Sequence, residues 1–393
     1  MDAYCFTEQS YHPAWDVYDG SLRGEIPGKY ADPEVTSRLL NEYLDHYVLA
    51  DQLGVNIMVN EHHVAATCMN VSVTMTLGVL ARQTKRARLL GLGSIVSNRP
   101  DPVRVAEEYA WVDNVSGGRL EMGLVKGAGW ELFASNANPV GLMDRYWEAH
   151  DLILEAMSNP ERQFSWEGDH FRYREVNLWP RPIQRPHPAV WVPCTSPGSS
   201  RAIAQRGHVM ASFVTGYASK PAYDAYREMY RETWGRPAPL DRFAYLGVLA
   251  VGRTAEEIER RRREGRRYLH SIGRLHAAQM APPGYTNAGD FARLLRSPAR
   301  GRMKGYSSSQ RLPSGKEMSP VPTDAELAEA GVMFSGEPNE VLDQILAFNE
   351  VMGGLGHLMV MSQSAAMSHE DASDNLRLFG ELVLPSLEKI GRT

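Results

Sequence analysis

The sequence predicts an α/β fold, a (β/α)8 TIM barrel with insertions, formed by residues 1–393 as a single domain. Three observations predict it. Short apolar runs alternate with stretches of helical periodicity along most of the chain, and such alternation means a parallel sheet. The strand-then-helix units number eight, which suggests closure into a ring. The second apolar run, 55–59, leads directly into Glu61-His62-His63, and side chains at the carboxyl ends of parallel strands line the active sites of barrel enzymes. An open doubly wound sheet is the competing architecture.

The elements follow in order. Residues 4–7 form strand one, and a polar, aromatic loop with His12, Pro13 and Trp15 follows. Asp32-Pro33 is a cap with a first-turn proline, behind which Leu39, Leu40, Tyr43, Leu44 and Tyr47 recur at helical spacing. Gly54 ends that helix before strand two at 55–59. Helix two covers 71–82, and strand three covers 88–96 as a continuous apolar run with two glycines. Asp101-Pro102 repeats the cap-plus-proline signal, and Ser116-Gly117-Gly118 stops helix three. Strand four is 120–125, and the next helix is 142–157. Residues 164–173 form an inserted hairpin turning at Glu167-Gly168-Asp169. Strands five to eight are 189–194, 209–213, 243–251 and 357–361; helices start near 199, 221 and 254, and a last amphipathic helix spans 370–390.

One stretch breaks the rhythm. Residues 281–325 are rich in Pro, Gly, Ser and Arg and show no clear period. A loop of that length is either functional or disordered. Its basic residues are Arg293, Arg296, Arg300, Arg302, Lys304, Arg311 and Lys316.

Composition limits the function. The chain is 43% hydrophobic and 23% charged, an ordinary globular balance. A net charge of −5 gives no bulk drive toward nucleic acid or a membrane surface. Cys5, Cys68 and Cys194 are far apart, with neither CxxC nor zinc spacing, as in a reducing compartment. The start carries no basic-then-apolar leader, and no run reaches the ~20 apolar residues of a membrane span. A cytoplasmic protein is expected. Gly91-Leu92-Gly93 lacks the third glycine of a dinucleotide fingerprint.

Several segments together resemble the bacterial luciferase-like family of flavin-dependent monooxygenases. They are Glu61-His62-His63; 91–96 followed by Asp101-Pro102 and 103–108; Val112-Asp113-Asn114-Val115-Ser116-Gly117-Gly118-Arg119; and the proline-rich approach 178–188. The resemblance is strong over 54–215 and continues more weakly through Ser335-Gly336-Glu337-Pro338. It implies a barrel that binds reduced FMN at its carboxyl-terminal mouth, where reaction with O2 gives a flavin C4a-peroxide. One branch of the family binds a deazaflavin (F420) and transfers hydride without oxygen.

The resemblance also implies roles for residues. His62 is the proton-handling residue near the flavin, and histidine suits that work because it titrates near neutrality. His63 points to the other side of an extended segment and is structural. Adjacent residues diverge in this way, so Glu61, His62 and His63 make a poor metal site. Gly93-Ser94 aligns with a non-proline cis peptide beneath the flavin ring. Lys126 aligns with a basic phosphate contact that is often arginine. Ser196 and Ser199, with Gly198 between them, align with phosphate ligands, although small hydroxyl residues there serve equally as a helix cap. Trp15, Glu61, Asn98 and Trp130 are the substrate-pocket candidates. Trp130 either walls the pocket or covers the helix behind it, and Asn98 contacts either flavin or substrate.

The expected activity is oxygenation of a small, largely apolar organic molecule by reduced FMN and O2. A separate NAD(P)H:flavin reductase would supply the flavin, and 281–325 would act as a lid. The alternatives are an F420-dependent oxidoreductase and a flavin-binding relative without turnover. A homodimer through helices two and three is expected.

Overall fold

The computed structural model describes residues 1–271, 281–285, 312–319 and 321–390, together with Gln279, Ala288, Gly289 and Ala292. Parallel strands β1 (Asp2–Thr7), β2 (Asn56–Val59), β3 (Leu89–Ile95) and β4 (Leu120–Val125) pair in sequence order. An antiparallel hairpin of β5 (Phe164–Glu167) and β6 (Arg172–Val176) stands apart. The ring continues through β7 (Val190–Pro193), β8 (Val209–Phe213) and β9 (Phe243–Val251). A short strand β10 (Met333–Gly336) precedes β11 (His357–Gln363), which pairs with both β9 and β1 and closes the eight-stranded barrel.

β10 was not expected from the sequence. The Leu246 carbonyl accepts from the Val214 N–H, and the Val248 N–H donates to the Val332 carbonyl. Alternate residues of a strand bond to the same side, so β10 continues the edge that β8 leaves.

The helices are α1 (Pro33–Gln52), α2 (Val73–Gln83), α3 (Pro102–Ser116), α4 (Gly129–Ala134), α5 (Leu142–Ser158), α6 (Pro197–Gln205), α7 (Lys220–Trp234), α8 (Ala255–Ser271), α9 (Asp324–Glu329), α10 (Pro338–Val351), α11 (His369–Leu378) and α12 (Leu384–Leu387). The caps read from sequence form: the Asp32 carboxylate accepts from the Glu34 and Val35 N–H groups, and the Asp101 carboxylate from Arg104 N–H. Gly117 takes the left-handed conformation that ends α3. The continuous last helix expected over 370–390 is instead interrupted by a π turn, Phe379–Val383. Pro385 follows directly and has no N–H to continue the ladder. Among the described residues no helix is long and apolar enough to cross a membrane.

Strand alternation builds two cores. Ala3, Cys5, Ile57, Val59 and Leu89 pack outward against the helices. Tyr4, Phe6, Met58, Leu90 and Leu92 fill the ring. Tyr4 and Trp191 meet edge-on at 5.4 Å, and Trp191 lies 4.7 Å from the His357 ring. Tyr4 donates to Glu121 at 2.6 Å, and Arg88 pairs with the same carboxylate at 2.7 Å. This plug fills the end of the ring where the strands begin, so open space lies at the other end.

Outside the barrel, His150 of α5 and His208 share a 2.8 Å contact between their Nε2 atoms. Burial, then the His150 ring, pushes the His208 pKa down to about 2. A histidine held neutral in the fold stabilises fully above its ordinary pKa and loses that contribution as pH falls below it. At pH 5 the loss is about 2 kcal/mol. Thermal unfolding of wild type and His208→Gln between pH 8 and pH 5 should show a steeper acid loss in wild type; equal slopes would contradict this.

Candidate active site

A cavity of about 400 Å³ opens where the strands end. Phe6, Met58, Leu92, Val125, Phe213 and Leu246 make it largely apolar. Its polar groups include Glu8, Asn60, His62, Lys126, Glu131 and Tyr268.

His62 comes from the loop after β2, where its N–H donates to the Asn70 carbonyl at 3.0 Å. Its Nδ1 lies 2.9 Å from Glu131 Oε1. Glu131 is 1% exposed and is fixed from its other oxygen by the Ala128 N–H at 2.7 Å. The Trp130 ring stands 5.7 Å from the imidazole, and its indole N–H donates to the His63 carbonyl. Burial pulls the His62 pKa down, but the Glu131 carboxylate, helped by Glu8, outweighs it, and the net shift is upward. Burial raises the Glu131 pKa, and His62 more than reverses this. Each group of the pair therefore favours the charged form of the other.

A second buried carboxylate, Glu8, follows β1. It accepts from Tyr268 Oη at 2.7 Å and Asn60 Nδ2 at 3.0 Å, and Arg23 lies 3.4 Å away.

Between these groups runs bare backbone. A Cβ on Gly93 would lie 2.5 Å from the Gly123 carbonyl oxygen, and one on Gly123 would lie 2.3 Å from that of Gly91. Strands β3 and β4 therefore meet without room for a side chain, and Gly93 presents main chain to the cavity. The non-proline cis peptide among the described residues is Leu92–Gly93, not Gly93-Ser94 as the sequence suggested. Ser94 is corrected as well: its hydroxyl donates to Tyr109 of α3 at 2.9 Å, on the outer face of the ring.

Lys126 lines the cavity, with its ammonium 4.1 Å from the Tyr285 ring centre, and the Tyr285 hydroxyl donates to the Gly127 carbonyl at 3.0 Å. Burial lowers the Lys126 pKa. Arg145 is tied to Lys126 through Ser97 and does not itself line the cavity. It donates to the Ser97 carbonyl at 2.8 Å, and the Ser97 hydroxyl donates to the Lys126 carbonyl. No carboxylate of the described residues lies within ion-pair distance of either cation. Lys126, on the cavity wall, is therefore available to an anion there, whereas Arg145 also donates to the Asn138 carbonyl at 2.6 Å.

The other expected residues are placed differently. Ser196, Gly198 and Ser199 are exposed at the start of α6 and do not line the cavity. Ser196 Oγ accepts from Ser199 N–H at 3.4 Å, which is a cap, and a Cβ on Gly198 would meet nothing within 4 Å. Glu61 reaches the wall, but its carboxylate braces the mouth by accepting from Val73 N–H at 3.0 Å, Ile95 N–H at 3.2 Å and Arg99 at 3.2 Å. Trp15 donates to the Ala66 carbonyl at 3.2 Å, and Asn98 contacts Ser97 and Ser135; neither lines the cavity. Trp130 backs His62 rather than walling the pocket.

Of the 281–325 segment, Tyr285 lines the cavity, and Ala281, Leu312 and Met318 are buried. Arg293, Arg296, Arg300, Arg302, Lys304 and Arg311 lie outside the described residues. Glu8, Asn60, Glu131, Arg145 and Tyr268 were not anticipated. Glu8 could have been, because it follows its strand just as Glu61 and His62 follow theirs.

A luciferase-like monooxygenase family model matches residues 26–354. The oxygenase component of a flavin-dependent trigonelline monooxygenase from Acinetobacter baylyi is 28% identical over 186 residues, 46% of this chain and 50% of that protein. An FMNH2-dependent dimethylsulfone monooxygenase from Pseudomonas putida is 29% identical over 133 residues, 33% of this chain and 35% of that protein. The chain thus spans half or less of these curated relatives. Among solved structures, the oxygenating constituent of a Baeyer–Villiger 3,6-diketocamphane monooxygenase from Pseudomonas putida, in complex with FMN, superposes with a TM-score of 0.69 at 19% identity, covering 98% of each chain.

Proposed function

Since this chain belongs to the luciferase-like monooxygenase family, we propose that it binds reduced FMN at the barrel mouth and uses dioxygen to oxygenate a small, largely apolar organic molecule. The observation that carries this is the convergence of the His62–Glu131 dyad, the side-chain-free backbone at Gly93 and the Lys126 rim on one apolar cavity. The residues fit the cofactor. A flat ring needs a place where main chain can approach it, as at Gly93, and a phosphate needs a cation not already paired; Lys126 would hold it, with Arg145 behind it and Ser196 and Ser199, outside the cavity at the start of α6, as further donors. Bound there, reduced FMN supplies the electrons that activate dioxygen.

The protein groups then have distinct tasks. Glu131 fixes Nδ1 of His62, leaving Nε2 to hold or deliver a proton in the cavity. The apolar walls exclude water, and Tyr285 closes the rim beside Lys126. The lid expected of residues 281–325 falls largely outside the described residues. With no dinucleotide fingerprint in the sequence, oxidation of NAD(P)H belongs to a separate reductase.

A homodimer is proposed through α2 and α3. Met75 and Val79, one helical turn apart, are 71% and 43% exposed, and Trp111 of α3 is 51% exposed beside Gly78. A monomer mass by light scattering would contradict it. Lys126→Met should weaken FMN binding about 10–100-fold, the worth of a charged hydrogen bond; unchanged affinity would remove Lys126 from the site. The activity is tested by premixing the protein with reduced FMN without air and then adding oxygenated buffer. Reoxidation slower than that of free flavin is expected, and an identical rate would refute the proposal.

A further inference from the structure

Val214 follows β8 directly, lines the cavity beside Phe213 and Leu246, and is 4% exposed. Its φ is +44°, in the left-handed region that a β-branched residue rarely occupies. The chain around it is pinned there. Its N–H donates to the Leu246 carbonyl at 2.7 Å, and two residues later the Gly216 N–H donates to Tyr245 Oη at 2.9 Å. Gly216, also at positive φ, has no room for a Cβ, which would lie 2.3 Å from the Ala330 carbonyl oxygen.

Glycine would take position 214 without strain. Valine contributes two methyl groups to the cavity wall that glycine cannot. A strained residue at a cavity surface is a reason to look for a function that holds it there. In the ring, β9 stands four strands from β3 in either direction. Leu246 of β9 therefore lies across the cavity from Gly93 of β3, and Phe213 and Val214, at the end of the neighbouring β8, stand beside it.

We propose that Val214 is a specificity-determining residue: its methyl groups set the size limit for the apolar body of the substrate on the side of the cavity away from Gly93. This rests on the cavity being the reaction site. The same strain makes position 214 an unusual buried valine, one whose loss should not destabilise the fold.

Two readouts test it in Val214→Gly and Val214→Leu, with Val248→Gly as the control for an ordinary buried strand valine. Val214→Gly should unfold at or above the wild-type temperature, while Val248→Gly should unfold several degrees lower. Calorimetric binding of cyclohexanol and cyclooctanol should show the affinity ratio moving about fivefold or more toward cyclooctanol in Val214→Gly, and toward cyclohexanol in Val214→Leu. An unchanged ratio in both variants, a drop in unfolding temperature matching that of Val248→Gly, or no binding of either alcohol to any of these proteins would overturn the proposal. Binding of reduced FMN to wild type is measured separately. Its absence would refute the flavin assignment and leave the alcohol ratio to judge Val214.

Discussion

Replacing His62 with alanine is expected to lower product formation from reduced FMN and dioxygen by about 10²–10⁴-fold, the usual worth of a positioned proton-transfer group. The fold should survive, because the imidazole is partly exposed and its one side-chain hydrogen bond among the described residues is to Glu131. Glu131→Gln should act through His62. Burial depresses the imidazole pKa and the carboxylate reverses that, so the raised value depends on Glu131. If the protonated ring is the active form, activity falls as pH rises through the raised pKa, and in Glu131→Gln the fall moves to lower pH. Stability follows the same sign: the contribution of the dyad is full below the ordinary histidine pKa and is lost as pH rises through the raised one. A pH–rate profile identical in wild type and Glu131→Gln would contradict this account.

Gly123→Ala is expected to be among the most destabilising single changes in the chain, by about 3–5 kcal/mol. The new methyl would lie 2.3 Å from the Gly91 carbonyl oxygen and 2.6 Å from Leu92 Cα, and both are backbone atoms of a central strand that cannot turn aside. The unfolding temperature should fall by about 5 °C. Gly198→Ala supplies the contrast: it has open space and a helical environment, so its stability should hold. A Gly123→Ala protein as stable as wild type would mean that β3 and β4 are not in the close contact that exposes Gly93 to the cavity.

The barrel was legible because its signals are local. Cap-plus-proline pairs open α1 and α3, glycine closes α3, and buried parallel strands read as continuous apolar runs. His62 was legible by its place after a strand. Glu131 was not, because α4 is six residues long and too short to show a period. Ser94 was misjudged for a different reason. Leu90 and Leu92 point into the ring, so strict alternation would send Ser94 inward too, but the β3–β4 register shifts between Gly91 and Ser94 and turns Ser94 toward Tyr109. The dyad itself joins residues 69 apart in sequence, a contact that only the closed ring brings about.

Anaerobic titration with reduced FMN, compared with reduced F420, tests the central claim most directly: that the cavity beside His62 is a reduced-flavin site. One FMN per chain is predicted, with affinity lowered in Lys126→Met and weaker binding of F420. No saturable binding of reduced FMN, or tighter binding of F420, would contradict it.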